Sequence, residues 1–380
     1  MHPPSHTSVQ TTPNNPALST VAILGIGQMG LVCASVLSAA AEQPPPAPDQ
    51  VRRPVNVRLW GRNPSESAQL AQTRRSPRLH HFRLPEPVHV CLSLQDALRD
   101  ADIIVLAIPV QFMRIALEHA APLLPDGAGI VSVSKGIEEG TMLRPSEIIA
   151  DVLHRSGRDN PDRRPRPIAC LSGPTIAAEL ALCLPAAMVA ASDDPAFACQ
   201  VQSIFTASWL RVYTSSDLLG VELAGAVKNV IAIAAGVLDG LKAGNNAKSA
   251  LLSRGMAEIA RLGAAMGAST ATFAGIAGVG DLATSCFSPE GRNRSCGEAI
   301  GRGADVEQYL AQSPFVVEGV YTTRAVLQLA EKYRVEVPIT RAVHAVLFEK
   351  VDPLTAIGSL MSRAARPERD DEPHRDLFVS

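Results

Sequence analysis

The sequence predicts an α/β chain: a doubly wound, mostly parallel sheet in the N-terminal half, followed by an all-helical C-terminal half. Three observations carry this expectation. Short, almost wholly apolar runs alternate with helical stretches as far as about Tyr213. Glycines, Arg62, Pro109 and Lys135 stand at the carboxyl ends of those runs. Beyond Tyr213 the strand signals fade and long helical stretches take over. Apolar strands separated by helices indicate a parallel sheet covered on both faces, where ligands bind at the carboxyl ends of the strands.

Taken in order, Met1 to Thr20 is rich in Pro, Ser, Thr and Asn and has neither an apolar core nor an arginine. It reads as a disordered extension over residues 1–19, not as a signal or transit peptide. Strands follow at Thr20–Leu24, Val57–Trp60, Ile103–Ile108, Ile130–Ser134, Ile168–Leu171 and Ala187–Ala191. Two Pro/Arg-rich stretches, 43–54 and 155–167, interrupt them; prolines at that density continue neither helix nor strand, so both read as solvated surface insertions. A dinucleotide-binding domain is expected over 20–213 and a helical substrate domain over 214–365. The latter holds helices at Leu219–Leu241, Ala247–Met266, Gly275–Ser285, Arg294–Gly301, Thr322–Tyr333, Ile339–Phe348 and Pro353–Arg363. The charged tail, 366–380, is expected to fray.

Composition narrows the function classes. At 380 residues the chain is long enough for two cores and a cleft between them. A formal net charge of −2 leaves no electrostatic footprint for nucleic acid. The apolar runs are short or broken by charge, so no bilayer-spanning stretch is expected. The seven cysteines are odd in number, lack C-x-x-C spacing and lie mostly in apolar runs, as expected of reduced thiols in a cytoplasmic protein. The nine histidines have no metal-ligand spacing, so no metal is expected. The oligomeric state is left open, a homodimer included.

Gly25-Ile-Gly27-Gln28-Met29-Gly30 follows a strand and opens an Ala/Val/Leu-rich helix. Such glycines permit a tight turn and let helix N-terminal amides meet a pyrophosphate, the Rossmann-type arrangement. The fingerprint alone is weak, but strand, turn, helix and second strand stand in the right order. The second strand ends Trp60-Gly61-Arg62-Asn63, without the carboxylate that selects NAD. Arg62 is either a surface arginine or a partner for a 2′-phosphate; the latter makes NADP accepted or preferred over NAD.

Leu219–Leu241 is small and apolar throughout, the pattern of a helix buried on all sides, yet Lys228 and Asn229 sit in its middle. A buried ammonium is costly unless paired, and burial lowers its pKa toward the range useful for proton transfer. The alternative is a snorkelling or structurally paired lysine. Lys135, inside Ser134-Lys135-Gly136-Ile137-Glu138, stands where a side chain reaches the ligand crevice. Further on, Gly278-Val-Gly280-Asp281 precedes one short helix and Gly291-Arg292-Asn293-Arg294 enters another. An Arg-Asn helix start offers a guanidinium fork, an amide and free N–H groups to one anion, while Asp281 is suited either to orient an ammonium or to cap its helix.

These segments together resemble bacterial-type glycerol-3-phosphate dehydrogenases from about Val21 to Leu360, outside the two insertions. The specific part is VELAGAVKNVIAIAAGVLDGLKAGNNAKSALLSRGMAEIARLG, then TFAGIAGVGDL, GRNR and VVEG, supported by LWGRN, KGIE and LSGPTIAAE. The resemblance implies a 6-phosphogluconate-dehydrogenase-like helical domain and an enzyme interconverting dihydroxyacetone phosphate and sn-glycerol 3-phosphate for phospholipid synthesis. It implies Lys228 as general acid/base and Lys135 as a contact to both cofactor and substrate. Gly173, Thr175, Asp281, Gly291, Arg292 and Asn293 would meet the substrate. Gln28, Met29, Arg62, Ala177, Arg292, Val316 and Glu318 would line the cofactor, beside Gly25, Gly27 and Gly30. There are two departures: Gly291 replaces the family's usual Ser, and Pro109-Val110 its usual Pro-Ser, each removing a hydroxyl. Two alternatives stand beside this reading. One is a ketopantoate or 2-hydroxyacid reductase of the same architecture, which would need no phosphate anchor. The other is a catalytically silent NADP-binding sensor, which would need a lysine missing or out of reach.

Overall fold

The apolar runs form one sheet whose strands are β1 (Ser19–Leu24), β2 (Val55–Trp60), β3 (His89–Cys91), β4 (Ile103–Leu106), β5 (Gly129–Ser132), β6 (Ile168–Ser172), β7 (Ala186–Ser192) and β8 (Leu210–Ser215). This computed structural model describes residues 19–41, 55–159, 166–313, 315–364 and 368. Apart from Ser19, the expected N-terminal extension lies outside the described residues; so do the 43–54 insertion, the centre of the 155–167 insertion and all of the 366–380 tail but residue 368. The spatial order is β3-β2-β1-β4-β5-β6-β7-β8. Every pairing is parallel except β6 with β7.

The helices of this half are α1 (Gln28–Ala41), α2 (Pro64–Thr73), α3 (Leu94–Leu98), α4 (Val110–Ala120), α5 (Pro145–Arg155), α6 (Ala177–Ala181) and α7 (Pro195–Phe205). Side chains alternate across a strand, so Val21 and Ile23 of β1 pack with residues of α1 and α7, while Ala22 and Leu24 pack with α4 and α5. Burial on both faces is why these strands carry no polar alternation. The tip of β2 passes directly into α2: Asn63 caps it by accepting from the Ser65 and Glu66 amides at 3.0 and 3.3 Å, and Pro64 opens the first turn.

The C-terminal half is helical. It comprises α8 (Leu218–Gly240), α9 (Gly244–Met266), α10 (Thr270–Phe273), α11 (Asp281–Phe287), α12 (Arg292–Gly301), α13 (Val306–Gln312), α14 (Glu318–Tyr333), α15 (Pro338–Phe348) and α16 (Pro353–Met361). Helix α8 runs through the middle, buried along nearly its whole length as its composition predicts. Its Glu222 is buried and accepts from Arg144 (2.7 Å), the Ser146 amide (2.8 Å) and the Ser146 hydroxyl (2.5 Å). That carboxylate fastens the start of α5 to α8 and so docks the two halves.

The structure corrects several expectations. The single helix expected over Gly275–Ser285 is broken: α10 ends at Phe273, a wide turn occupies Ile276–Gly280, and α11 starts only at Asp281. The three glycines of that stretch favour the break, and Gly278 lies so close to the Phe273 carbonyl that a Cβ would sit 2.1 Å from it. Strands β3 and β8 and helix α13 were not expected. β8 alternates buried and exposed residues because α7 covers only one of its faces, and α13 buries none of its residues. The 155–167 stretch is not wholly a solvated loop, since Arg166 is buried and bonds the Arg158 and Ala128 carbonyls at 3.0 and 3.3 Å. Finally, α8 is long and apolar enough to cross a membrane despite Glu222, Lys228 and Asp239. Its most apolar window is 94% buried inside the protein, as in the core helix of a globular domain.

Candidate active site

At the β1–α1 turn Gly25 has φ +122°, and a Cβ there would sit 2.4 Å from the Ala107 carbonyl oxygen of the strand end alongside. Only glycine meets both demands. A Cβ on Gly27, in contrast, would meet nothing within 4 Å, so the space over the turn is open. The first intrahelical bond runs from the Leu31 amide to Gly27, which leaves the Gln28, Met29 and Gly30 amides available to a pyrophosphate. The residues present therefore fit a dinucleotide. Gln28 also donates to the Arg78 carbonyl at 2.9 Å, Met29 packs on the core beneath, and Arg62 stands exposed at the tip of β2.

Two lysines meet at the carboxyl ends of the central strands. Lys135, three residues past β5, directs its ammonium to the Gly173 carbonyl at 2.7 Å, the Thr175 hydroxyl at 3.2 Å and Asp281 Oδ2 at 2.6 Å. Lys228, in mid-α8, donates to Asp281 Oδ1 and to the Ser285 hydroxyl, the latter at 2.6 Å. Asp281 is the first residue of α11, and its carboxylate goes to the two lysines, not to capping that helix. Lys228 is 6% exposed and Asp281 1%. Burial pulls the Lys228 ammonium down to about 8; the Lys135 charge adds to that fall and Asp281 opposes it.

A hydrogen-bonded chain leads from this pair to Asn293. The Asn229 amide donates to the Lys135 carbonyl at 3.4 Å, Asn293 donates to Asn229 Oδ1 at 2.9 Å, and the Gly319 amide donates to Asn293 Oδ1 at 2.9 Å. Gly291 is the N-cap of α12 and carries no side chain to satisfy the helix's first amides. Arg292, exposed, bonds the Val316 carbonyl at 3.4 Å. Glu318 opens α14 and accepts the Val110 amide at 3.0 Å, while its second oxygen is buried without a partner among the described residues. Burial pushes that carboxyl up to about 7, against the Val110 amide and Arg292. Ala177 begins α6 and packs on the core below the turn.

The structure thus brings Lys135, Gly173, Thr175, Lys228 and Asp281 into direct contact and joins Asn293 and the Gly319 amide to them through Asn229. Arg292 bonds Val316 instead, and Glu318 bonds Val110. The direct contacts of that centre do not extend to Arg62. Two participants were missed. Asn229 was noted beside Lys228 but given no task, and Ser285 was read only as a helix end. Its signal was the i, i+4 spacing from Asp281, which sets both side chains on one face of α11.

A turn that fits a dinucleotide, beside two lysines whose ammoniums share one buried carboxylate at the strand ends, is the arrangement of an oxidoreductase that works with NAD or NADP. A family model for the N-terminus of NAD-dependent glycerol-3-phosphate dehydrogenase matches residues 20–198, and one for its C-terminus matches residues 217–358. The chain belongs to the NAD-dependent glycerol-3-phosphate dehydrogenase family. A Parafrankia relative named glycerol-3-phosphate dehydrogenase (NAD(P)+) is 44% identical over 91% of this chain and 98% of its own. A Mycobacterium bovis relative of that name, numbered 2, is 42% identical over 92% and 98%. The crystal structure of glycerol-3-phosphate dehydrogenase from Coxiella burnetii superposes with a TM-score of 0.81 at 32% identity, covering 91% of this chain and 99% of that one.

Proposed function

We propose that the chain reduces dihydroxyacetone phosphate to sn-glycerol 3-phosphate, reversibly, with Lys228 as the proton donor. The observation that carries this reading is the hydrogen-bond inventory of the two ammoniums. Lys135 spends its three N–H groups on Gly173, Thr175 and Asp281. Lys228 spends two, on Asp281 and Ser285, and its third has no partner among the described residues. That third N–H is available to a ketone oxygen. A reduced nicotinamide, when bound, supplies the hydride. Lys228 then gives its proton to the oxygen as negative charge builds there, and Lys135 adds positive charge nearby. Arg292 and the uncapped amides at the start of α12 anchor the phosphate, which holds the carbonyl in place. The product suits phospholipid synthesis, and the unpaired, mostly buried cysteines suit the reducing cytoplasm.

The test is consumption of NADPH with dihydroxyacetone phosphate across pH. Lys228 must be protonated to donate, so reduction is expected to fall as pH rises through about 8. Oxidation of glycerol 3-phosphate needs the neutral amine and is expected to rise through the same value. Absence of turnover with either cofactor would remove the substrate assignment.

β2 ends without a carboxylate, and Arg62 is exposed at its tip, which favours a 2′-phosphate. Arg62→Ala is expected to lower kcat/KM for NADPH about tenfold relative to NADH, the effect of losing one charged hydrogen bond. Measuring both cofactors in parallel decides it, since an unchanged ratio assigns Arg62 to the surface.

A further inference from the structure

Helices α8 and α12 touch backbone to backbone. A Cβ on Gly236 would lie 1.9 Å from the Arg294 carbonyl oxygen, and one on Gly297 would lie 1.9 Å from that of Ile233. Gly240 and Gly301 repeat the pattern one turn on, each 2.4 Å from an oxygen of the facing helix, Glu298 and Val237 respectively. Such a seam allows very close approach, with Val230, Ile233 and Val237 of α8 packed beside it on Cys296 and Ile300 of α12, so the placement of α12 depends on fine contacts along it. A few tenths of an ångström there would displace Arg292 and Asn293 relative to Lys228.

One carboxylate adds a charged tie across the end of the seam. Asp239, near the end of α8, takes Lys248 of α9 at 2.7 Å on each oxygen and Arg294 Nε of α12 at 2.7 Å on Oδ2. Lys248 is buried, and its ammonium lies 4.9 Å from the centre of the Phe287 ring, the last residue of α11. Arg294 also reaches Glu298, one turn along its own helix, at 3.2 Å, and Glu298 in turn pairs with Arg302. Asp239 therefore gathers the helix of Lys228, the helix of Arg292 and Asn293, and, through Lys248 and Phe287, the helix of Asp281 and Ser285. None of the three charged side chains touches the lysine pair itself.

We propose that Asp239 is a positioning residue for substrate affinity, holding the start of α12 in register so that Arg292 and the neighbouring amides face the substrate phosphate. The inference rests on the reading that Arg292 and that helix start bind the phosphate. Its signature is a split between KM and kcat. Asp239→Asn is expected to raise KM for dihydroxyacetone phosphate about tenfold, as a small misplacement of a positioning group does. kcat at saturation is expected to stay within about threefold. Arg294→Gln keeps the Asp239–Lys248 pair and cuts only the tether to α12, so it is expected to give the same split; it decides the matter if Asp239→Asn does not fold. A wild-type KM in Arg294→Gln, or a fall in kcat with KM unchanged, overturns the proposal. Arg292→Ala separates the two levels. If that enzyme also keeps the wild-type KM, the phosphate reading itself fails; if its KM rises while the Asp239 and Arg294 variants keep theirs, only the positioning role fails.

Discussion

Lys228→Ala is expected to lower kcat for reduction about a thousandfold, within the 10²–10⁴ range that a positioned general acid contributes. Two features make the result interpretable. The alanine suits the interior of α8, and Asp281 keeps a cation because Lys135 remains 2.6 Å away. The variant should therefore fold, with a melting curve close to that of the wild type. Cofactor affinity should be retained, since the expected cofactor residues lie on the β1–α1 turn, the tip of β2, α6, α12 and the approach to and start of α14, apart from Lys135. Steady-state rates with dihydroxyacetone phosphate, together with a thermal melt, form the measurement. An alanine enzyme within tenfold of the wild-type kcat would transfer the proton-donor task elsewhere, Lys135 being the first alternative.

Asp281→Ala should be the most damaging single change to stability in the site. The carboxylate is 1% exposed and holds two ammoniums at once. Removing one partner of a buried ion pair leaves an uncompensated charge and typically costs about 3–5 kcal/mol. Lys228 has least escape, being itself buried and left with the Ser285 hydroxyl. The sign of the accompanying pH effect follows from the same contact. Asp281 opposes the fall of the Lys228 ammonium, so its loss moves that group further below about 8 and shifts the fall in reduction rate toward lower pH. Denaturant unfolding of the variant beside the wild type measures the cost. A difference under about 1 kcal/mol would mean that solvent reaches the lysines freely.

Much of this was legible along the chain. The sheet could be read because period and punctuation are local: apolar runs of strand length, each closed by Gly, Pro or a charged residue, meet the geometric demands of buried parallel strands without reference to distant residues. The β1–α1 turn could be read for the same reason in part: Gly25 needs a positive φ and Gly30 lies against the Gly25 carbonyl, while the close approach of Ala107 to Gly25 is a tertiary contact. Lys228 could be singled out because an ammonium inside an apolar helix contradicts its surroundings. Where the local signal was weaker, the reading failed in characteristic ways. The broken helix before Asp281 depended on backbone contact between Gly278 and Phe273. The strand β8 carries polar residues because only its face toward α7 is covered. Arg166, read as part of a solvated loop, is buried through carbonyl groups of other segments.

By itself, then, the sequence determined the strands β1, β2, β4, β5, β6 and β7, the change from sheet to helices, the dinucleotide turn and the two candidate lysines, most of which follow from near-neighbour chemistry. Only the tertiary structure decided that Lys135 and Lys228 share Asp281, across separations of 146 and 53 residues. The same holds for the Asn229–Asn293 bridge and for the choice of Lys228 as the ammonium with an N–H to spare. Those facts depend on which strand ends and helix faces converge, and convergence is set by packing the sheet against α8, a many-body outcome that no stretch of chain encodes alone.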